Sequence, residues 1–398
     1  MVARILLTNA RLFDSVTGSI SERTAILING ERIESVTIGE TRVPEGAEVI
    51  DLQGHTVVPG LIDTHVHYAL GGDEAMKLFI ANGVTSVRDC GGQLELLKAA
   101  QHAIASGEKI GPRLYICGPL LQGSVPALPK PYNSLLAMSA NSPDEVPDKI
   151  GAVLDAEVDS LKLYYSLPTE TGERVIGYAG GEVPVTGHLG RMPASAAARA
   201  GINGLEHASI SPYADICPTH MRFSEKDGMF DRGWFPRLQQ GWIEADLSAP
   251  AARDLIKQMA DSQVALGTLM AVDWIGWSGR EQARRDPDRR YIVPAHIELQ
   301  RRTAQARGHA LEGDWDLFIS GVPEPDPVRS RRAIEKQLEF CQRLHETGGL
   351  IVGGTDAGGP RLTATGILAA AGIGNALDSD GTGCGFARSH LQGRLLSS

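Results

Sequence analysis

From Leu61 onward the chain repeats one texture: short apolar runs separated by segments of helical spacing or polar composition. The runs cover 61–67, 85–88, 113–117, 161–165, 183–188, 204–207, 264–269 and 350–355. A parallel sheet requires such alternation, because each strand must be followed by a crossover that returns the chain to the same end. Eight runs closing near Asp356 predict an α/β fold of the (β/α)8 TIM-barrel type with insertions. Ser142-Pro143-Asp144-Glu145 predicts a helix start, with Ser as cap, Pro in the first turn and Glu reaching back. Residues 329–346 predict a charged amphipathic helix ahead of the eighth strand. The short, glycine-rich stretch 168–181 predicts a trimmed or irregular connection in place of the fourth helix.

Before residue 60 the pattern is short and β-like. Residues 25–28 and 32–36 flank Asn29-Gly30, a dipeptide that suits a two-residue hairpin turn. Residues 49–52 and 55–58 flank Gln53-Gly54 as a second expected hairpin. These strands are too few to stand alone and must pack on something else. Two long connections, roughly 209–250 and 270–325, have the length of lids or binding loops. The second holds Arg284, Arg285, Arg289, Arg290, Arg301 and Arg302 among Asp286, Asp288 and Glu298, read as a solvated helical face.

Composition narrows the function classes. With 48 acidic and 38 basic residues the net charge is −10. That balance argues against a nucleic-acid or anionic-membrane surface, which needs basic side chains. No stretch reaches the ~20 apolar residues of a membrane span, and the apolar run near the N-terminus is too short for a secretion signal. Five scattered cysteines form no CxxC pair, so the expectation is a reducing, cytoplasmic setting.

The chemistry gathers at the strand ends. In Asp63-Thr64-His65-Val66-His67 the two histidines lie two apart on a strand and project to one face, a natural pair of metal ligands. Lys162 lies in the fourth run, His188 ends the fifth, His207 the sixth, and Asp356 follows the eighth in Gly353-Gly354-Thr355-Asp356. Barrel enzymes carry catalytic groups at the C-terminal ends of strands, and these six groups stand there. Tyr165, beside Lys162, is a candidate for stabilising a developing oxyanion and equally a barrel aromatic. Arg88-Asp89 reads as a structural ion pair, with substrate contact as the alternative; Cys90 and Cys117 read as core.

The stretch Val58-Pro59-Gly60-Leu61-Ile62-Asp63-Thr64-His65-Val66-His67, with the later Lys, two His and Gly-Thr-Asp in that order, resembles the metal-dependent amidohydrolase superfamily. The similarity runs over roughly residues 3–360 and is greatest to the imidazolonepropionase-like and prolidase-like branch. It implies a β-sandwich portion at 1–58, a hydrolase barrel at 59–360 and an atypical tail at 361–398. It also implies two divalent ions, usually zinc. His65, His67 and Asp356 would complete one, His188 and His207 the other, and Lys162, carboxylated by carbon dioxide, would bridge them. A metal-bridging hydroxide would attack the substrate carbonyl, and Asp356 would shuttle the proton to the leaving nitrogen.

Three departures qualify the resemblance. Gly118-Pro119-Leu120-Leu121-Gln122-Gly123 stands where prolidase-like relatives carry Gly-Gly-His, which weakens dipeptides as substrates. Leu189, Gly190 and Arg191 follow His188 where ring deaminases place a Glu, which counts against deamination. Residues 361–398 lack the last helix, the Asn-Pro-Ala-like segment and the returning strands of the family. A truncated or frameshifted reading frame is the expectation there; a short helix at 366–377 is the alternative. Strands left without partners would favour a homo-oligomer. The resulting expectation is a hydrolase of C–N bonds in a small-molecule amide, dipeptide, N-acyl amino acid or cyclic amide. The alternatives are a mononuclear, imidazolonepropionase-like or deaminase-type enzyme and a non-catalytic scaffold of the same fold. Retention of all six candidate ligands argues against the scaffold.

Overall fold

A computed structural model describes residues 4–124, 130–223, 229, 233–270, 297–299, 301, 302, 305 and 326–356, in two compact units divided between Gly60 and Leu61. The first unit is built on β1 (Arg4–Phe13). β2 (Ile20–Asn29) pairs antiparallel with β1, and β3 (Arg32–Ile38) antiparallel with β2. The first expected hairpin is present: Asn29 faces Arg32 across a turn in which Gly30 has φ 61°, a conformation glycine adopts freely. The second is not. β4 (Glu48–Asp51) and β5 (Thr56–Val57) both add in parallel to β1, at Ile5–Thr8 and at Arg11–Leu12. The ten residues of β1 are long enough to serve both short strands in succession. Between them Leu52 and Gly54 donate to Thr8 and Asn9, so Gln53-Gly54 is a step along one edge, not a reversal. Among the described residues this unit is one five-stranded sheet with a small core of Leu6, Ala25 and Leu27. The second layer of the expected sandwich is not found among them.

Among the described residues, the strands of the second unit pair in parallel. β6 (Leu61–Val66), β7 (Val84–Asp89) and β8 (Arg113–Tyr115) form one sheet. β9 (Leu120–Gln122), β10 (Ala137–Ser139), β11 (Leu161–Leu163), β12 (Val185–Gly187), β13 (Gly204–Glu206), β14 (Ala265–Gly267) and β15 (Ile351–Val352) form another, in the order β10-β9-β11-β12-β13-β14-β15. Backbone bonds continue beyond both. Asp159 and Ser160 donate to Ile116 at 2.8 and 3.3 Å, and Thr64 donates to Gly353 at 3.2 Å. All eight expected runs are strands, mostly shorter than the apolar stretch that announced them; β9 and β10 are additional.

Helices α1 (Tyr68–Ala81), α2 (Leu94–Ala105), α3 (Lys130–Leu136), α4 (Val146–Asp155), α5 (Thr169–Ala179), α6 (Ala194–Ala200), α7 (Tyr213–Ile216), α8 (Trp234–Glu244), α9 (Pro250–Asp261) and α10 (Pro327–Glu346) fill the intervals. The expected start near Ser142 is a 3-10 turn, Pro143–Glu145, leading into α4. Ser142 makes no side-chain cap there, while Glu145 does reach back, accepting from the Asn141 N–H at 3.3 Å. α10 begins at Pro327 because the Asp326 carboxylate caps it, accepting from the Val328 and Arg329 N–H groups. The stretch 168–181 is no irregular connection; it contains the regular helix α5. Gly172 permits this, since a Cβ there would lie 2.6 Å from the Met192 sulfur.

Val66, Phe79, Val87, Ile116, Leu121, Leu163, Leu205 and Leu266 are buried together in the core. Each fully buried side chain of this size contributes ~1.5–3 kcal/mol. Cys90, Cys117, Cys217 and Cys341 are buried and form no disulfide. No helix among the described residues is long and apolar enough to cross a membrane. Residues 284–290 of the arginine-rich connection and the tail 361–398 lie outside the described residues.

Candidate metal centre

β6 delivers His65 and His67 with ring centroids 5.4 Å apart. His207, one residue past β13, stacks edge-on to His65 at 5.1 Å, and His188, one past β12, lies 4.1 Å from His207. Asp356 joins through its backbone, whose N–H donates to the His65 carbonyl at 2.8 Å. Its Oδ1 stands 3.2 Å from His67 Nε2 and 3.6 Å from His65 Nε2. His207 and Asp356 have φ of 59° and 56°. Non-glycine residues in this left-handed region are strained, and such strain concentrates at functional sites. Lys162, on β11, is 1% exposed, and its Nζ has no hydrogen-bond partner; neither has His188 Nε2. The acid nearest Lys162 is Glu206, 3.8 Å away.

Burial decides most of the protonation states. It pushes the His65 imidazolium down to about 3, aided by the Lys162 charge and opposed by Glu206. It brings His207 to about 4 and His188 well below the usual range, with His207 and Lys162 adding to the fall at His188. His67 differs: burial works against its charge, but the hydrogen bond and charge of Asp356 outweigh it and raise the pKa. Asp356 moves reciprocally. Burial would raise it, yet the His67 hydrogen bond and the surrounding imidazoles hold it well below the carboxylate range.

A second layer of charge was not legible in the sequence. Glu206 Oε2 accepts from His65 Nδ1 at 2.9 Å, and its Oε1 is paired with Arg88. Arg88 also donates to the Thr64 carbonyl at 2.7 Å and to Thr186 Oγ1 at 3.2 Å. The ion pair expected of Arg88 therefore exists, but with Glu206. Neighbours on a strand point to opposite faces, and Asp89 instead accepts from the N–H groups of Tyr68 and Gly91. Asp63 accepts from Thr355 Oγ1 at 2.5 Å and from the His65 N–H at 3.0 Å. The one available signal for Glu206 was its position: an acid next to His207 in a strand too apolar to face water.

Among the described residues, two groups of potential ligands are compact, with all donor atoms within 4.8 Å of one another: His65, His207 and Asp356, and His65, Cys90 and Glu206. The second does not suit a cation. Arg88 already occupies Glu206, and burial pushes the Cys90 thiol up to about 12, so it stays protonated. Lys162, His67 and His188 neighbour the first group without belonging to it. Tyr165 lies with its ring 6.2 Å from His188, and its hydroxyl accepts from Trp234 Nε1 at 3.0 Å. A Cβ at Gly190 would overlap that ring. Tyr165 also forms a wall of a cavity of about 640 Å³, with Arg191, Ile210, Tyr213, Arg222 and Phe223.

No family model matches the chain. Among curated proteins it is similar to an adenine deaminase of Kosmotoga olearia, 38% identical over 132 residues, which is 31% of this chain and 21% of that one. An imidazolonepropionase of Klebsiella pneumoniae is 38% identical over 79 residues, 19% of each. A dihydroorotase of Pelotomaculum thermopropionicum is 36% identical over 74 residues, 19% of this chain and 17% of that one. These matches span about a fifth of each relative's length. In fold the chain resembles a Xaa-Pro dipeptidase solved with bound methionine, TM-score 0.61 at 17% identity, covering 96% of this chain and 87% of that one. It likewise resembles a bottromycin amidohydrolase, TM-score 0.63 at 18% identity, covering 93% and 74%. The likeness to solved structures extends over almost the whole described chain, and the sequence matches fall on amidohydrolases of three different activities. The sequence similarity is thus confined to short stretches of amidohydrolase-type proteins, and over most of its length the chain resembles amidohydrolase structures in fold.

Proposed function

We propose that the chain is a metal-dependent hydrolase of C–N bonds acting on a small-molecule amide, dipeptide, N-acyl amino acid or cyclic amide. The observation that carries this reading is His65 Nε2 turned toward Asp356 Oδ1 at 3.6 Å. With Nδ1 donating to Glu206, Nε2 of the neutral ring is a bare lone pair. A lone pair and a carboxylate oxygen converging in this way are suited to share a cation, which would replace the proton that His67 gives Asp356. Lys162 Nζ, with Glu206 at 3.8 Å as its counter-charge, and His188 Nε2 are two more buried groups without hydrogen-bond partners, whose burial is costly unless something binds them. Imidazole and carboxylate donors suit a divalent ion such as zinc.

In this reading the eight principal strands form one closed (β/α)8 barrel, supported by the Thr64–Gly353 and Ile116–Ser160 backbone bonds. His65, His67 and Asp356 would hold one ion, and His188 and His207 a second. Lys162 would add carbon dioxide at Nζ, releasing protons from that nitrogen, and as an anionic carbamate would supply oxygen ligands to the ions. When bound, the ions supply Lewis-acid polarisation of a carbonyl and a water of lowered pKa. Asp356, kept ionised, takes the proton of the attacking water as the C–O bond forms and passes it to the nitrogen as the C–N bond breaks. Tyr165 is the proposed hydrogen-bond donor to the developing oxyanion, its hydroxyl fixed by Trp234. The aromatic walls of the neighbouring cavity favour a substrate with an apolar portion, among lining charges of both signs from Glu170, Arg191 and Arg222.

A second reading has one ion, with Lys162 an ordinary lysine and ring opening or deamination as the chemistry; the compactness of His65, His207 and Asp356 favours it. Elemental analysis of the purified protein, beside Lys162→Ala and His188→Ala variants, separates the two. Near two metals per chain, falling in both variants together with amide hydrolysis, is the expected result. One metal unaffected by Lys162→Ala supports the second reading. No retained metal after incubation with zinc and bicarbonate overturns both.

A further inference from the structure

Glu206 has no part in the proton transfer proposed above, yet it is a buried carboxylate with both oxygens committed. Its side chain is 2% exposed, as is that of His65. Oε2 accepts from His65 Nδ1, and Oε1 is bound by Arg88. An ionised carboxylate only accepts hydrogen bonds, so the imidazole atom facing it must be an N–H. A neutral ring protonated on Nδ1 presents Nε2 as its lone pair, on the side of Asp356. Rotating the ring by half a turn would bring a carbon toward Glu206 and lose the bond. Arg88 in turn is tied to the carbonyl that follows Asp63, to Thr186 on β12 and to Glu206 on β13, so the acceptor itself is held from three strands.

We infer that Glu206, anchored by Arg88, is a positioning residue that fixes the tautomer and ring orientation of His65, so that Nε2 is presented to a divalent cation. The purpose rests on the metal reading above; the tautomer does not, since it is a property of the protein without metal. Histidine ligands commonly donate their second N–H to a carboxylate or carbonyl, and removing that partner typically costs about 10- to 100-fold in metal affinity. The competing account is that Glu206 serves only as the counter-charge of Arg88 and Lys162.

The test uses full-length, metal-free protein labelled with 15N-histidine. Long-range 1H–15N correlations identify which ring nitrogen carries the proton, and the His65 signals are assigned by their loss in His65→Asn. The parent should show His65 protonated on Nδ1. Glu206→Gln, which keeps an acceptor oxygen, should preserve that form. Glu206→Leu should lose it, as should the double variant Arg88→Met with Glu206→Leu, which removes the Arg88–Glu206 pair and leaves Lys162 in place. Zinc titration against a competing chelator should show affinity about 10- to 100-fold lower in the leucine variants and a much smaller loss in Glu206→Gln. An Nε2-protonated His65 in the parent overturns the inference, and so does unchanged tautomer and zinc affinity in the double variant. A parent that takes up no zinc while His65 remains Nδ1-protonated overturns the metal reading and supports Glu206's hold on the ring.

Discussion

Arg11 and Arg88 each meet a glutamate across strands, but the two pairs differ in every energetic respect. Arg11 Nε lies 3.0 Å from Glu22 on the sheet of the first unit, with side chains 43% and 65% exposed. Arg88 meets Glu206 in the interior, at 10% and 2% exposure. Water already satisfies the first pair, and salt screens it. The second has left water altogether, so each charge depends on the other and on the remaining hydrogen bonds. An ion pair on a small sheet is decoration; the same pair beneath a histidine centre becomes a condition of the fold.

Arg88→Met tests the comparison most severely. It leaves Glu206 ionised and buried, and chemical denaturation should show a loss of about 3–5 kcal/mol. Adding Glu206→Leu together with Lys162→Met, which also removes the amine 3.8 Å from Glu206, should restore much of that stability, because the buried charges disappear together. If the triple variant is as unstable as the single, buried charge is not the cause. A smaller effect concerns Asp63, whose carboxyl burial pushes up to about 6. Its unfolded value is about 3.9, so the folded state binds this proton more tightly. The contribution to stability is complete below about pH 4 and is lost as the pH rises through about 6. In metal-free protein, Asp63→Asn should therefore flatten the fall in stability across that window, measured by denaturation at several pH values. Equal slopes in variant and parent would sink the assignment. The smallest effect belongs to the surface: Arg11→Ala should denature at the parent's midpoint, and a clear shift would mean that exposure does not separate the two pairs.

The legible parts of the sequence were those with local signals. Apolar runs revealed the eight principal strands, and the order of His65, His67, Lys162, His188, His207 and Asp356 along them led to the residues that gather at one place. β9 and β10 have three residues each and no periodicity to read. The partnership of β4 and β5 with β1 was hidden because strand pairing depends on which edge is free, not on the turn alone. α5 was obscured by Gly172, whose helix-weakening composition is offset by close packing on Met192. Glu206 was hidden for a different reason. Its partners His65 and Arg88 lie 141 and 118 positions away, and no spacing rule spans that distance.

The bond from Thr64 to Gly353 joins residues 289 positions apart. During synthesis at ~5–20 residues per second, the first strand waits roughly 15–60 s for its last neighbour to be made. Throughout that interval the nascent chain offers His65 and His67, then His188 and His207, without the carboxylate of Asp356. Contacts so remote in sequence are also slow to form once the chain is complete. The histidines therefore exist as a loose, early collection of candidate ligands, and a site with its full set of charges is the last thing to be assembled.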